Sequence, residues 1–394
     1  MTAMTLPRPE CEVLLHSLLQ AQDGDTQLRG ALSRVADWES LERLALKHHV
    51  FPSLYRRLAD TCPEAVPPEV LAGWGRLFLV HARRNLRLTG ELLQVLAFLT
   101  SQEISAIPYK GPILAQTAYG DLTLRQFVDL DILVRGAEVE KVKELLVARG
   151  YRLPCTFTRK QDRVHRQQSM ELNFQHARRA MLEVHWRFQR PAIFGGGLDP
   201  EEVLARRVPA RILGEMVYIP CPEDNLLILC VHGSTHLWST LSMVSDVTHL
   251  VHSQNNWNWP RLLERAKDSG LRCQTLLGLS LARDLLGAAA PPEVIEEADA
   301  DPGVAAVRRK AAQNLWVRNE EDVRFLERTS FYLQTRDSFK DRVRHVWGYL
   351  AIPNETDWQW LPLPDSLYGL YFVIRPLRQV FKCLIMPAWR RLTK

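Results

Sequence analysis

The stretch Phe127-Val-Asp-Leu-Asp-Ile-Leu-Val134 decides the fold. Its period of two predicts a strand with Asp129 and Asp131 on one face and Val128, Leu130, Ile132 and Val134 on the other. The apolar face belongs against a core, so two carboxylates stand side by side on a strand whose back is buried. Like charges a few ångströms apart resist joint ionisation, and a divalent cation between them removes the conflict. A second stretch, Ala180-Met-Leu-Glu-Val-His-Trp-Arg-Phe188, is built the same way, with Glu183, His185 and Arg187 on one face and Leu182, Val184, Trp186 and Phe188 on the other. Asp129, Asp131 and Glu183 on adjacent strands suit two Mg²⁺ (or Mn²⁺) ions roughly 3.5–4 Å apart, which stabilise the attacking and leaving oxygens in phosphoryl transfer. A solvated strand edge with Glu183 paired to an arginine accounts for a lone Asp-x-Asp at least as well, so the context upstream matters.

That context is Tyr109-Lys110-Gly111, a strand-to-helix turn with Pro112 in the first helical turn. Gly111 lets backbone N–H groups approach a phosphate at a helix N-terminus, and Lys110 adds a mobile cation. Arg125, four residues before Asp129, offers a planar fork suited to an oxygen of a triphosphate. Lys110 and Arg125 read equally well as ordinary surface charge.

Helical spacing fills the chain on both sides. Residues 1–103 predict a helical N-terminal region, ending in a helix from Ala72 to Glu103 with Leu92, Leu93, Leu96 and Leu99 on one face. Residues 104–190 alternate strand and helix: strand Ile104 to Tyr109, helix Pro112 to Tyr119, strand Phe127 to Val134, helix Glu138 to Arg149 and a strand near Tyr151 to Phe157. A hairpin of Met170 to Gln175 with Ala180 to Phe188 completes this α/β core. Residues 191–394 predict a mainly helical C-terminal region, with Asp224 as N-cap of a helix from Leu226 to His236. The fold class expected is α+β, a mixed sheet core between helical regions.

Composition sets the outer limits. A chain of 394 residues exceeds one ordinary core, and 46% apolar with 24% charged residues is the balance of a globular protein. A net charge of +5 gives no strong nucleic-acid signal. Seven scattered cysteines without a Cys-x-x-Cys pair point to reduced thiols, and with no secretory signal or long apolar run the expected location is cytoplasmic.

These motifs carry a resemblance. Lys110-Gly111, Tyr119-Gly-Asp121, Arg125, Asp129-Leu-Asp131-Ile-Leu-Val134 and Leu182-Glu-Val-His-Trp186 look like the uncharacterised bacterial nucleotidyltransferases of the DNA polymerase β-like superfamily. Trp38-Glu-Ser-Leu-Glu-Arg-Leu-Ala45, His49-Val-Phe-Pro52, Pro222-Glu-Asp-Asn-Leu-Leu227 and His232-x-x-x-His236 with Asp246 extend it over most of the chain. The resemblance implies a minimal nucleotidyltransferase fold in which Asp129, Asp131 and Glu183 bind metal and an NTP is the donor. The superfamily usually has Gly-Ser where this chain has Lys110-Gly111, so Lys110 would stand in for the serine as a phosphate contact. The acceptor, in a bacterial biosynthetic or modification setting, would be a hydroxyl of a peptide, protein or saccharide. A non-catalytic nucleotide-binding accessory protein and a metal-dependent phospho- or glycosyltransferase are the rival readings.

Other constellations read more simply. His232 and His236 share a helix face, but without the glutamate of His-Glu-x-x-His they fit helix packing or contact with substrate better than zinc. His185 is a further candidate for substrate contact, or a buried hydrogen-bonded histidine. Trp257, Trp259, Trp358 and Trp360 read first as core or interdomain contacts and second as stacking platforms for a base or sugar. The tail from Ser366 to Trp389 mixes apolar and basic residues and reads as docked on the protein, or as an amphipathic contact with a membrane or partner.

Overall fold

The Asp-Leu-Asp stretch forms strand β2, Asp129–Leu133, at the centre of a small mixed sheet. In the computed structural model, which describes residues 8–19, 24–190, 197–317, 323 and 325–381, β2 pairs antiparallel with β1, Ile107–Tyr109. On its other side β2 runs parallel to β4, Met181–His185, and β4 pairs antiparallel with β3, Glu171–Phe174. The order is therefore β1-β2-β4-β3. Pro108, which has no N–H to donate, is tolerated because β1 is an edge strand.

The N-terminal helices are α1 Pro9–Leu18, α2 Gly24–Leu32, α3 Trp38–Lys47, α4 Phe51–Thr61 and α5 Pro68–Ser101. Helix α6, Gly111–Thr117, follows β1, and α7, Val139–Ala148, follows β2. The sheet separates two cores. On one side Leu130, Ile132, Val134, Leu182 and Val184 pack with Val139, Val142 and Leu146 of α7 and with Leu88, Leu92, Leu96 and Leu99 of α5. On the other side Ile107, Tyr109, Leu133 and Phe188 join a larger core built by helices from both ends of the chain. Helix α5, 34 residues and about 50 Å long, serves both, since Trp74, Phe78 and Ala82 enter the larger core. The class is α+β, as expected, with a mixed sheet core flanked by helical regions.

Several expectations are corrected. Val128 is 44% exposed because the strand begins one residue later, so the alternation holds only from Leu130. Arg187 lies beyond the end of β4 and donates to the carbonyls of Arg166 and Ser169 instead of joining the acidic face. The strand expected near Tyr151 to Phe157 is a single bridge between Arg152 and Gln175, since Pro154 cannot continue a ladder. An unforeseen helix α8, Arg159–Gln168, follows, closed by a capping box from Thr158 and Gln161.

The region from 191 onward is helical but also holds a hairpin, β5 Val208–Ile212 and β6 Glu215–Ile219. Its turn residues Leu213 and Gly214 both have positive φ, the backbone a two-residue hairpin needs, and leucine is a poor advertisement for it. Ile212, Val217 and Ile219 pack on the α5 side of the sheet. The helix Pro222–Thr235 is capped at Cys221, and Asp224 lies inside its first turn, fully buried, not at the N-cap. A further close approach organises the helices behind it: Trp238 lies against Gly233 and Gly278, where a Cβ would come within 2.6 Å and 3.0 Å of its ring.

Asp224 accepts from Arg206 at 2.9 and 3.1 Å and from Arg265 at 3.2 Å, which ties the hairpin's approach and the Trp259–Asp268 helix to one carboxylate. Removing it takes the carboxylate from Arg265 and leaves Arg206 with Glu202 alone. Asp224→Ala should destabilise the fold by about 3–5 kcal/mol, read as a lowered denaturant midpoint in equilibrium unfolding.

Candidate active site

Strand register assembles the acidic face. In the parallel pair β2/β4, Asp131 lies directly opposite Glu183, with Asp129 two residues back along the same strand. His185 stands next along β4 and turns its ring into the same group, with Nε2 3.3 Å from Asp131 and 3.4 Å from Glu183. On the antiparallel side Glu171 of β3 faces His185, its Oε2 3.3 Å from Nδ1. Both ring nitrogens of His185 lack proper hydrogen-bond geometry to these oxygens, so the residue is surrounded by carboxylates without being satisfied by them. Ligand atoms of Asp131, Glu183 and His185 all lie within 4.8 Å of one another. Asp129 lines the same cavity but falls outside that trio.

Electrostatics follow from crowding. Burial and the neighbouring charges of Asp131 and Glu183 push Asp129 up to about 6. Burial also disfavours the charged form of Asp131, but Lys110 and His185 outweigh it and hold that carboxyl below the usual range. His185 is pulled the same way from the opposite side: burial favours neutrality, and Asp131, Glu183 and Glu171 raise it to about 9. Without a bound cation the site therefore holds one protonated imidazole and one lysine against its carboxylates. A divalent ion fits this donor set, since converging carboxylate oxygens and an imidazole lacking a well-formed hydrogen bond are what such an ion would satisfy.

Lys110 reaches Asp131 from the turn after β1, with Nζ to Oδ1 at 3.2 Å. Its backbone has φ 59° and ψ −148°, a region that L-residues avoid at a cost of about 1–3 kcal/mol. Gly111 follows with φ +35°, and a Cβ there would stand 3.6 Å from the carbonyl of Asp129. The turn thus runs close under β2, and a lysine occupies a dihedral that favours glycine.

Arg125 lines the same cavity as the acids but is bound to another carboxylate. Its fork is bidentate on Asp246, at 2.7 and 2.8 Å, and Tyr119 donates to the same carboxylate at 2.8 Å while stacking on His249 at 3.9 Å. The loop that carries it is pinned by α5, where buried Asn85 donates to the carbonyls of Leu122 and Arg125, and by Ser53 of α4, which donates to Leu124. The guanidinium expected at phosphate thus has a carboxylate partner on the Leu241–His252 helix.

The four carboxylates of the sheet, His185, Lys110 and Arg125 open on one cavity of about 1190 Å³. The sheet forms its acidic floor, and His232, His236, Ser239 and Asp246 belong to the helical wall opposite. The rings of His232 and His236 are 4.6 Å apart, and burial with the nearby Lys110 keeps His232 neutral. Among the described residues these two histidines belong to no cluster of three metal-ligating side chains. Tyr332, His345 and Tyr349 close the third side. Among the described residues no tryptophan lines the cavity: Trp257 and Trp259 stack on each other, and Trp358 is buried elsewhere.

Glu171 belongs to none of the motifs read in the sequence. The alternation Glu171, Asn173 against Leu172, Phe174 held the signal for Glu171, because pairing of the hairpin carries that face beside Glu183.

A family model described as an uncharacterised nucleotidyltransferase matches residues 34–287, well over half of the chain. Among solved structures, the lincosamide antibiotic adenylyltransferase LnuA with lincomycin bound is 15% identical, covering 42% of this chain and 97% of its own at a TM-score of 0.30. An antigenic nucleotidyltransferase-like protein from Paracoccidioides brasiliensis is 12% identical, covering 53% of this chain and 97% of its own at a TM-score of 0.31. No curated protein matches the chain.

The raised Asp129 makes a stability prediction. Its folded value lies above the unfolded one, so ionised Asp129 costs the metal-free fold stability above about pH 6 and nothing below about pH 4. Asp129→Asn should raise the thermal midpoint of the metal-free protein at pH 7.5 by an amount worth up to about 3 kcal/mol, and the gap to wild type should close at pH 4.

Proposed function

Because the chain belongs to the uncharacterised nucleotidyltransferase family, we propose that it moves a nucleoside monophosphate from an NTP to a hydroxyl acceptor in a Mg²⁺-dependent reaction. The observation that carries this reading is the parallel register that sets Glu183 against Asp131, with Asp129 beside them, on the floor of a cavity roomy enough for more than one substrate. In it residues 104–190 are the catalytic core, with 1–103 and 191–394 as flanking helical regions.

Asp129, Asp131 and Glu183 would hold the divalent ion, which supplies neutralising charge for the triphosphate when bound. His185, buried 3.3 Å from Asp131 and 3.4 Å from Glu183, would join them in holding the ion. In the reaction the acceptor oxygen bonds to the α-phosphorus, the bond to the β-phosphate bridging oxygen breaks, and pyrophosphate leaves. The acceptor proton goes to Glu183, the more exposed member of its pair with Asp131. Lys110 neutralises Asp131 in the free protein, and an arriving triphosphate competes for the same ammonium. Gly111 brings the start of α6 near the phosphates, and Arg125 braces the wall through Asp246. His232 and His236 face the acceptor side of the cavity.

One observation favours the accessory reading: Lys110 and Arg125, the two cations expected at the phosphates, are both engaged by carboxylates of the protein. Pyrophosphate release measured with each NTP and Mg²⁺, with mass spectrometry of candidate peptide, protein and saccharide acceptors, separates the readings. An added nucleotide is the expected product; an added phosphate or hexose marks phospho- or glycosyl transfer, and binding without product marks the accessory protein. The Asp129→Asn/Asp131→Asn double variant should lose at least about a hundredfold in pyrophosphate release while keeping the wild-type circular dichroism. A folded double variant at the wild-type rate would show that the chemistry is elsewhere.

A further inference from the structure

The C-terminal helices are built inside out. The helix Tyr371–Val380 buries Arg375 and Gln379, while its described exposed positions, Phe372, Val373 and Leu377, and Phe381 just beyond it, are all apolar. In the helix Phe339–Ala351 the buried residues are His345 and the small Gly348 and Ala351, while Phe339, Val343, Val346 and Trp347 are exposed, Phe339 by 78% and Trp347 by 68%. Their spacing puts those four on one stripe. The polar side is locked inward, because Arg375 donates to the carbonyl of Tyr349 at 2.8 and 3.1 Å and pairs with buried Asp357. Rotating the helix to hide Leu377 would break that ion pair. Among the described residues, eleven of the nineteen exposed large apolar side chains fall between 339 and 381, so the apolar surface is concentrated here and not scattered.

Charge tells which occupant suits it. Exposed Lys340 and Arg342 border the Phe339–Trp347 stripe on opposite sides of the helix, and Arg378 lies over the exposed ring of Trp360 at 5.2 Å. Arg375 and Arg378 of the Tyr371–Val380 helix both pair with Asp357, so the cations that border the exposed face are Lys340 and Arg342. A second copy of the chain would bring Lys340 and Arg342 against their own counterparts. Long cationic side chains flanking an apolar stripe, with tryptophans at its margin, match the boundary between acyl chains and anionic headgroups. No helix among the described residues is long and apolar enough to cross a membrane, so the contact lies in the plane of the surface.

We propose that the exposed faces of the Phe339–Ala351 and Tyr371–Val380 helices dock on an anionic lipid bilayer. In density-gradient flotation the full chain should rise with phosphatidylcholine vesicles containing phosphatidylglycerol, at least about tenfold more than with phosphatidylcholine alone. Val373→Glu/Leu377→Glu should lose that binding by a similar factor at an unchanged thermal midpoint. Should this variant fail to fold, brominated acyl chains give the answer on the wild type, whose fluorescence they should quench, and less so in Trp347→Phe. Folded wild type that stays with neither vesicle overturns the proposal, as does a wild-type dimer in light scattering that the same substitutions dissolve.

Discussion

Gathering Asp129, Asp131 and Glu183 on one face of a small sheet is the constraint to which the rest of the molecule answers. Strand pairing makes the gathering unavoidable once register is set, and charge makes it costly. The relief is local and visible: a buried imidazole beneath, a lysine from the neighbouring turn, and a carboxyl whose titration is displaced toward neutrality. What remains uncompensated is negative, and it faces a cavity. A face that is expensive to keep empty is one that favours cationic company.

Holding such a face in register requires backing. The apolar side of the sheet supplies it through Leu130, Ile132, Leu182 and Val184, clamped by α5 and α7. The loop before β2 is held from both sides, by Asn85 and Ser53 beneath and by the Arg125–Asp246 pair across the cavity. Floor and helical wall are therefore joined by a charged pair with little exposure, not merely placed side by side.

Period-two alternation in two short stretches was enough to read β2, β4 and the acidic face in the sequence, because a strand's faces follow from its covalent geometry. Limits appeared where geometry is set by something nonlocal. The shared face of Asp131 and Glu183 needed parallel pairing across some 50 intervening residues, and the partner of Arg125, Asp246, lies 121 positions away. The hairpin at Leu213-Gly214 went unread because its first turn residue is not one that favours positive φ. Lys110 carried a clue in the open, a side chain where the superfamily has glycine, but only the backbone dihedral shows what that substitution costs. The tail reading beyond 381 lies outside the described residues.

Helix α5 has a consequence for how the protein comes apart. One end of it fills the larger core and the other covers the back of the sheet, so neither layer can melt without stripping a surface from its neighbour. The sheet is thus not a removable module: cut free after residue 103, it would lose the α5 side chains that share the cluster of Leu130, Ile132 and Val184. Unfolding should be cooperative across that helix, and a protease able to open its middle would disarm the site without touching a single acid.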